Sequence, residues 1–232
     1  MLEDDTTNIS LIGIYGGTFD PLHYGHLRIA EELVESIGFS KLYFIPSGSP
    51  RLRQAPGASM YHRVAMLRAA IQGNAKFTVD EREIHRSGES RSVVTLRELK
   101  HEFAENVVLC FLMGMDVFVK LPDWYCWREL FKLCHIVIVD RPGCIFLNNK
   151  NHLSEELNRE VLHRQATHAN ELKNTYSGRV LTVPTTMLDI SATLIRDNIA
   201  NKKSIRYLLP DMVLEYIETN HLYFPKNFKA LK

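Results

Sequence analysis

Short, uniformly apolar runs alternate along this chain with longer segments of helical spacing, and this alternation restricts the fold more than any other feature. The predicted strands are Ile9–Tyr15, Lys41–Ile45, Phe77–Val79, Val107–Met113, Ile136–Val139 and Arg179–Val183. Strands that are apolar at every position are buried on both faces, as in a parallel sheet covered by helices. We therefore predict the α/β class, with an open, doubly wound parallel sheet that binds ligands at the carboxyl ends of its strands.

The segments between these strands carry apolar residues three and four positions apart, which indicates helices packed on the sheet. The predicted helices are Leu27–Ile37, stopped by Gly38; Tyr61–Ile71; Val93–Phe103; a long helix from a cap at Ser154 to Leu172; Ser191–Ile199; and Pro210–Thr219. The segment 47–57 combines Gly and Pro with two arginines. We predict that it is a mobile lid.

Length and composition predict a single domain over residues 1–232, with the polar residues 1–8 as a frayed tail. The 28 Lys and Arg against 27 Asp and Glu leave a net charge of +1, which argues against a nucleic-acid partner. The longest apolar run, Val107–Met115, is far below the ~20 residues of a membrane span. An acidic N-terminus and cysteines without Cys-x-x-Cys spacing predict a cytoplasmic protein with buried, reduced thiols at Cys110, Cys126, Cys134 and Cys144.

A glycine turn follows the first predicted strand and opens the first helix. Gly16 and Gly17 let a ligand approach the backbone, and the helix N-terminus favours a phosphate. His23 and His26 can point the same way and donate imidazole N–H groups to phosphate oxygens. A metal-binding pair and ordinary helix-cap residues are the alternatives for these histidines. The spacing is that of neither a Rossmann dinucleotide motif nor a P-loop.

A second candidate phosphate site lies near the other end of the chain, at Asp189–Arg196. Ser191 and Thr193 carry hydroxyls at a predicted helix start, and Arg196 follows one turn later. Hydroxyls, helix amides and a guanidinium together suit a polyphosphate. Standing alone, Ser191 would be a plain N-cap.

The two motifs resemble the signatures of the nucleotidyltransferase superfamily that carries a His-x-Gly-His motif, at Gly16–His26 and Ile190–Arg196. Other segments resemble the bacterial nicotinate-nucleotide adenylyltransferases within that superfamily. They are Phe111–Asp116 with its Gly-x-Asp ending, Leu121–Trp124, Trp127–Leu130, Val139–Gly143, Leu209–Pro210 and Tyr216–Ile217. The resemblance covers Leu11 to Tyr223 and implies a Rossmann-like nucleotidyltransferase fold with C-terminal helices.

The sequence departs from that family in two places where the acceptor should bind. The family's His-Lys or His-Arg after the second strand is Leu52-Arg53 here. Its Ser-Tyr-Thr-x-Asp-Thr-Leu is Ser90–Leu96, with Arg91, Ser92 and Val94 at the changed positions. The half that binds the adenylyl donor therefore matches the family better than the half that binds the acceptor.

The resemblance implies transfer of AMP from ATP to the 5′-phosphate of nicotinate mononucleotide, with Mg²⁺ bound mainly by ATP and water and no metal held by the protein. It implies that His23, His26 and Arg196 are catalytic, with His26 the stronger candidate for stabilising the transition state. The implied ATP-binding residues are Gly16, Gly17, Thr18, Phe19, His23, His26, Gly114, Asp116, Ser191, Thr193 and Arg196. The implied acceptor-binding residues are Arg53, Ser92, Asp116 and Trp124, with Arg91 as a further candidate.

Several alternatives stay open at this point. The acceptor can be another phosphorylated compound, such as nicotinamide mononucleotide or phosphopantetheine, and a non-catalytic nucleotide-binding module is a rival of a different class. Trp124 is either a platform for the pyridine ring or an ordinary core or surface tryptophan. Asp20 is either a general base or, with better support, an Asx turn before Pro21. Both a monomer and a homodimer are compatible with the sequence.

Overall fold

A parallel sheet forms the centre of the molecule. Its strands are β1 (Ser10–Gly17), β2 (Lys41–Pro46), β3 (Phe77–Val79), β4 (Val107–Gly114), β5 (His135–Asp140), β6 (Gln165–Ala166) and β7 (Val180–Pro184). The computed structural model describes residues 9–48, 56–140, 153–186 and 188–225, and within them the strand order is β3-β2-β1-β4-β5-β7-β6. Every neighbouring pair is parallel, so all the strands of this sheet end at the same edge.

Helices connect the strands and cover the sheet. They are α1 (Tyr24–Leu33), α2 (Met60–Ile71), α3 (Arg82–His85), α4 (Ser92–Glu102), α5 (Met115–Phe118), α6 (Trp127–Leu133), α7 (Glu155–Leu162), α8 (Ala192–Ala200) and α9 (Asp211–Thr219). A π-helical turn, Val34–Gly38, continues α1, and Gly38 ends it at φ +77°. Short 3₁₀ segments lie at Leu121–Asp123 and Ala169–Lys173. No helix in these ranges is long and apolar enough to cross a membrane.

Successive residues of the central strands enter two different hydrophobic clusters, one on each face of the sheet. Leu109, Phe111 and Met113 of β4 pack on one face, and Val108, Cys110 and Leu112 pack on the other. The first cluster receives side chains from α4, α6 and α7, and the second from α1 and α2. Burial on both faces explains why these strands are apolar at every position.

A third hydrophobic cluster joins the C-terminal helices to α2. Ile195 and Ile199 of α8 pack with Val213 and Ile217 of α9, and Met66 of α2 completes the contact. Through this cluster, the chain's C-terminal part lies against the helix that follows β2. The strands and C-terminal helices predicted from the sequence are confirmed.

The long helix predicted from Ser154 to Leu172 is wrong beyond its first two turns. Ser154 does cap a helix, because its hydroxyl accepts the N–H of Leu157, but that helix ends at Leu162. Leu157 packs on one face of the sheet, whereas Ala166 and Leu172 pack on the other. A straight helix cannot reach both faces, so the chain turns and adds β6 at the edge of the sheet, beside β7.

The prediction of buried thiols holds for Cys110 and Cys134 and is wrong for Cys126, which is exposed. Burial raises the pKa of the Cys134 thiol to about 12, so it stays protonated at neutral pH. Several predictions fall outside the described residues: the tail 1–8, most of the lid 47–57 with Leu52 and Arg53, the turn Arg141–Gly143, and Cys144.

Candidate active site

The strand order reverses between β1 and β4, and this is where the candidate site lies. From β1 the chain proceeds to β2 and β3 on one side, and from β4 to β5 and β7 on the other. Tyr15 of β1 lies opposite Leu112 of β4, so both strands end together, at Gly17 and Gly114. Connections that leave in opposite directions open a crevice at this edge, the usual ligand site of such sheets.

The first strand runs further than predicted: Gly16 and Gly17 are the last residues of β1, and the turn that follows them is built around the ring of Phe19. A Cβ on Gly17 would lie 2.8 Å from that ring, so only glycine fits there. Phe19 adopts φ +48° and is 3 % exposed, with its ring edge-on to the rings of Tyr15 and His26. The side chain of Phe19 therefore shapes the turn from inside, and only its backbone can contribute to a phosphate site.

The two histidines of the first motif meet at the start of α1. Their ring centroids are 3.8 Å apart. His23 is 5 % exposed and its Nδ1 atom has no hydrogen-bond partner; burial lowers its pKa to about 4. Nδ1 of His26 accepts the backbone N–H of His23 at 3.4 Å, which leaves the proton of a neutral ring on Nε2. His26 is therefore oriented as a donor through Nε2 and His23 is held as a neutral ring.

The first and second motifs converge in space although they are distant in sequence. Nη1 of Arg196 donates to the backbone oxygen of Asp20 at 2.6 Å. A Cβ on Gly25 would lie 2.9 Å from Nδ1 of His23 and 3.4 Å from the carbonyl oxygen of Ile190, so a glycine lets the two motifs approach. The starts of α1 and α8 thus face one region.

The second motif is organised by the start of α8. The hydroxyl of Ser191 accepts the N–H of Leu194 at 3.1 Å, so Ser191 is the N-cap of α8. Its predicted contact with a phosphate stays a prediction. Nη2 of Arg196 donates to the hydroxyl of Thr193 at 3.3 Å. Both hydroxyls are exposed and keep their own protons for donation to a ligand.

Asp20 is a structural centre of the site, and the Asx-turn interpretation is wrong. Its carboxylate, 4 % exposed, accepts the backbone N–H groups of Gly57 and Ala58 and the hydroxyl of Tyr223. These partners come from distant segments, and the donors occupy both oxygens. The same contacts make Asp20 a poor candidate for a general base.

Arg63 is a buried residue of the site that sequence reasoning missed. It is fully buried in α2 and donates to the carbonyl oxygens of Thr18 and Ser47, each at 2.7 Å. It thereby ties together the loops that follow β1 and β2. The sequence does contain a signal for its burial: Arg63 lies one helical turn before the apolar Leu67 and therefore on the same, buried face of α2.

Those predicted acceptor residues that the structure describes lie around the end of β4 and the start of α4, whereas Arg53 lies outside the described residues. Trp124 is partly buried and packs edge-on against Phe111, and a Cβ on Gly16 would touch that same phenylalanine at 3.6 Å. Ser92 is the first residue of α4, and the guanidinium of Arg91 lies 4.2 Å from the ring centre of Tyr125. Near them, Ser90 accepts the N–H of Gly48, which joins the loop after β2 to this region.

Asp116 lies at the end of β4, on the short helix α5. A Cβ on Gly114 would be 2.6 Å from Oδ1 of Asp116, so glycine lets the carboxylate fold back over the strand end. Burial and the charge of Asp116 raise the pKa of Tyr15. The described parts of the chain contain no group of three or more His, Cys, Asp or Glu side chains arranged to hold a metal ion.

Residues 14–198 match the family model described as Cytidylyltransferase-like, which places the chain in the nucleotidyltransferase class. A relative from Dechloromonas aromatica is 41 % identical over 212 residues, covering 91 % of this chain and 97 % of the relative. Another, from Halorhodospira halophila, is 43 % identical over 206 residues, covering 89 % and 92 %. Both carry the name "Probable nicotinate-nucleotide adenylyltransferase". The chain belongs to the nicotinate-nucleotide adenylyltransferase family.

A solved structure supports the fold independently. The nicotinic acid mononucleotide adenylyltransferase of Plasmodium falciparum, complexed with NaAD, superposes with a TM-score of 0.69. The two chains are 17 % identical, and the match covers 92 % of this chain and 97 % of the other. At this identity the likeness concerns the architecture.

Proposed function

We propose that this protein transfers AMP from ATP to the 5′-phosphate of nicotinate mononucleotide, forming nicotinate adenine dinucleotide and pyrophosphate. The observation that carries the proposal is the contact between Arg196 and Asp20, which joins the two phosphate motifs over a single crevice. The names of the relatives from Dechloromonas and Halorhodospira support this reaction, and the Plasmodium structure holds NaAD.

The reaction is a direct displacement at the α-phosphorus of ATP. A phosphate oxygen of the acceptor forms the new P–O bond, the bond from the α-phosphorus to the bridging oxygen breaks, and pyrophosphate leaves with the electron pair. The acceptor phosphate is already an anion, so the protein supplies no nucleophile and forms no covalent intermediate. Its task is to align two anions and to stabilise the charge that develops between them.

Residues of the two motifs divide this task. His26 donates from Nε2 to the α-phosphate in the transition state, and the neutral His23 supports its ring. The backbone N–H groups of Gly16 to Phe19 line the phosphates. Ser191, Thr193 and Arg196, with the amides that begin α8, hold the β- and γ-phosphates of the leaving group.

Mg²⁺ enters as part of the substrate, bound to the phosphates of ATP. The carboxylate of Asp20 is occupied by three donors, so it is not available as a ligand for the cation. The cation reduces the repulsion between the triphosphate and the acceptor phosphate.

The acceptor is bound by the group around Trp124. The partly buried indole offers a flat face to the pyridine ring, and Asp116 accepts ribose hydroxyl groups at the end of β4. Ser92 at the start of α4, together with Arg91 and Arg53, receives the acceptor's anionic groups.

The buried, protonated thiols of Cys110 and Cys134 are compatible with a cytoplasmic enzyme.

The test is an acceptor assay with the purified protein. MgATP is incubated with nicotinate mononucleotide, nicotinamide mononucleotide or phosphopantetheine, and pyrophosphate and the dinucleotide product are measured. We expect the highest kcat/KM with nicotinate mononucleotide. A preference for another acceptor would change the assigned substrate, and ATP binding without pyrophosphate release would indicate a non-catalytic nucleotide-binding module.

A further inference from the structure

Tyr223 lies after α9, far along the chain from the glycine turn, yet it contacts the centre of the site. Its hydroxyl donates to Oδ1 of Asp20 at 2.7 Å across 203 positions of sequence. Its ring packs on the backbone of Gly57, where a Cβ would lie 3.2 Å from the ring atoms. Burial and the charge of Asp20 raise the pKa of Tyr223, so the hydroxyl stays protonated and acts as the donor.

The tyrosine completes the hydrogen bonding of a buried carboxylate. Oδ2 of Asp20 accepts the N–H of Gly57 at 2.7 Å, and Oδ1 accepts the N–H of Ala58 at 3.1 Å as well as the hydroxyl of Tyr223. A carboxylate removed from water needs such donors, since an unsatisfied charge is costly. Without the hydroxyl, Oδ1 would keep only the bond from Ala58.

Arg196 is a cation close enough to Asp20 to replace the lost donor. Its Nη1 atom lies 3.8 Å from Oδ2 of Asp20 and bonds to the backbone oxygen of the same residue. The Arg196 side chain is 33 % exposed, so part of it remains available to a ligand. The carboxylate of Asp20 and the phosphates of ATP therefore compete for one guanidinium.

We propose that Tyr223 is a positioning residue for ATP: by satisfying Asp20, its hydroxyl keeps Arg196 turned toward the polyphosphate. This inference rests on the proposed function, since it assigns a task to a residue outside both motifs. It also explains why a C-terminal segment packs onto the loop between β2 and α2, through Gly57 and Ala58.

Tyr223→Phe tests the proposal, because it removes the hydroxyl and keeps the ring that packs on Gly57. We expect the KM for MgATP to rise about tenfold, the size of a lost bond to a charged group, while the KM for nicotinate mononucleotide changes less than about twofold. Tyr216→Phe is the matched control. The Tyr216 hydroxyl bonds to Nδ1 of His62 at 3.0 Å and does not touch Asp20. This control is expected to leave both KM values unchanged.

A double-mutant cycle separates positioning from a general structural role. In an Arg196→Gln background, Tyr223→Phe is expected to cause no further rise in the KM for MgATP, because the two residues act through one contact. The cycle remains informative if Tyr223→Phe lowers the stability of the protein. The single Tyr223→Phe variant and the double variant would both carry the same loss of stability, so it cancels in the comparison. An undiminished effect in the Arg196→Gln background, or equal rises in both KM values, would overturn the inference. An inactive wild-type protein would instead contradict the proposed function.

Discussion

His23 and His26 lie with their ring centroids 3.8 Å apart, but their surroundings differ. His23 is buried with an unpartnered Nδ1 atom, and His26 is half-buried with its Nδ1 bonded to the backbone of His23. One ring therefore serves as a neutral support and the other as an oriented donor. This division of roles leads to separate predictions for the two residues.

His26→Ala is expected to lower kcat/KM by a factor of about one hundred or more, because a donor aimed at developing charge is lost. Steady-state pyrophosphate release measures the effect. His101→Ala, at an exposed position of α4, is the control and should keep wild-type rates. A folded His26→Ala variant with near wild-type turnover would exclude His26 from the chemistry.

His23 makes stability depend on pH in a defined window. Its pKa is lowered from 6.5 to about 4 by burial, so below pH 6.5 the unfolded chain takes up a proton that the folded chain refuses until about pH 4. The free energy of unfolding should therefore fall as the pH drops through this window, by up to about 3 kcal/mol at 1.36 kcal/mol per pKa unit.

Urea unfolding at pH 7, 5.5 and 4.5 measures this effect. Burial also lowers the pKa of His135, which contributes in the same direction. The comparison must therefore be between wild type and His23→Gln, in which only the His23 contribution is removed. The variant should lose less stability on acidification than the wild type, and parallel curves would show that His23 is not the group responsible.

Arg63→Met is expected to reduce the free energy of unfolding by about 3 kcal/mol, because the buried carbonyls of Thr18 and Ser47 lose their charged donor. Urea unfolding again gives the value. Arg68→Met is the matched control on the same helix, since Arg68 is largely exposed and pairs with Glu81 at the surface. Equal effects of the two substitutions would contradict the role of Arg63 in joining the two loops.

Arg91→Gln is expected to weaken discrimination between acceptors. The guanidinium over the ring of Tyr125 carries the positive charge that suits a carboxylate, so its loss should lower the ratio of kcat/KM for nicotinate over nicotinamide mononucleotide about tenfold. Lys100→Gln serves as control, since Lys100 lies over the ring of Tyr176 elsewhere on α4. An unchanged ratio would remove Arg91 from acceptor selection.

The pattern of apolar residues was sufficient to predict six of the seven described strands, all but β6, and most helices, because burial on two faces leaves a pattern within each segment. The overlong helix after Ser154 shows the limit of that reasoning. Leu157 and Leu172 both have apolar side chains at helical spacing, yet they pack on opposite faces of the sheet. The face of the sheet on which a residue packs depends on the path of the chain, and it cannot be deduced from the local spacing of apolar residues.

The candidate site shows the same division between local and distant information. Ser191 and the two histidines could be singled out, since each lies at a helix start whose residues are adjacent in sequence. The partners of Asp20 could not, because Gly57 and Tyr223 reach it from segments with no shared pattern. Such contacts follow from the third hydrophobic cluster, which only the folded chain brings together.

In the proposed function, the two sides of the switch point bind different substrates. The glycine turn and α8 carry the donor motifs and are fastened to each other through Asp20, whereas Arg91, Ser92 and Trp124 belong to α4 and the segment after β4. Substitutions on the acceptor side can therefore change which molecule is adenylylated, while the residues that bind ATP stay the same. Two of the residues at which this chain departs from the family's pattern, Arg91 and Val94, lie on this acceptor side, at the start of α4.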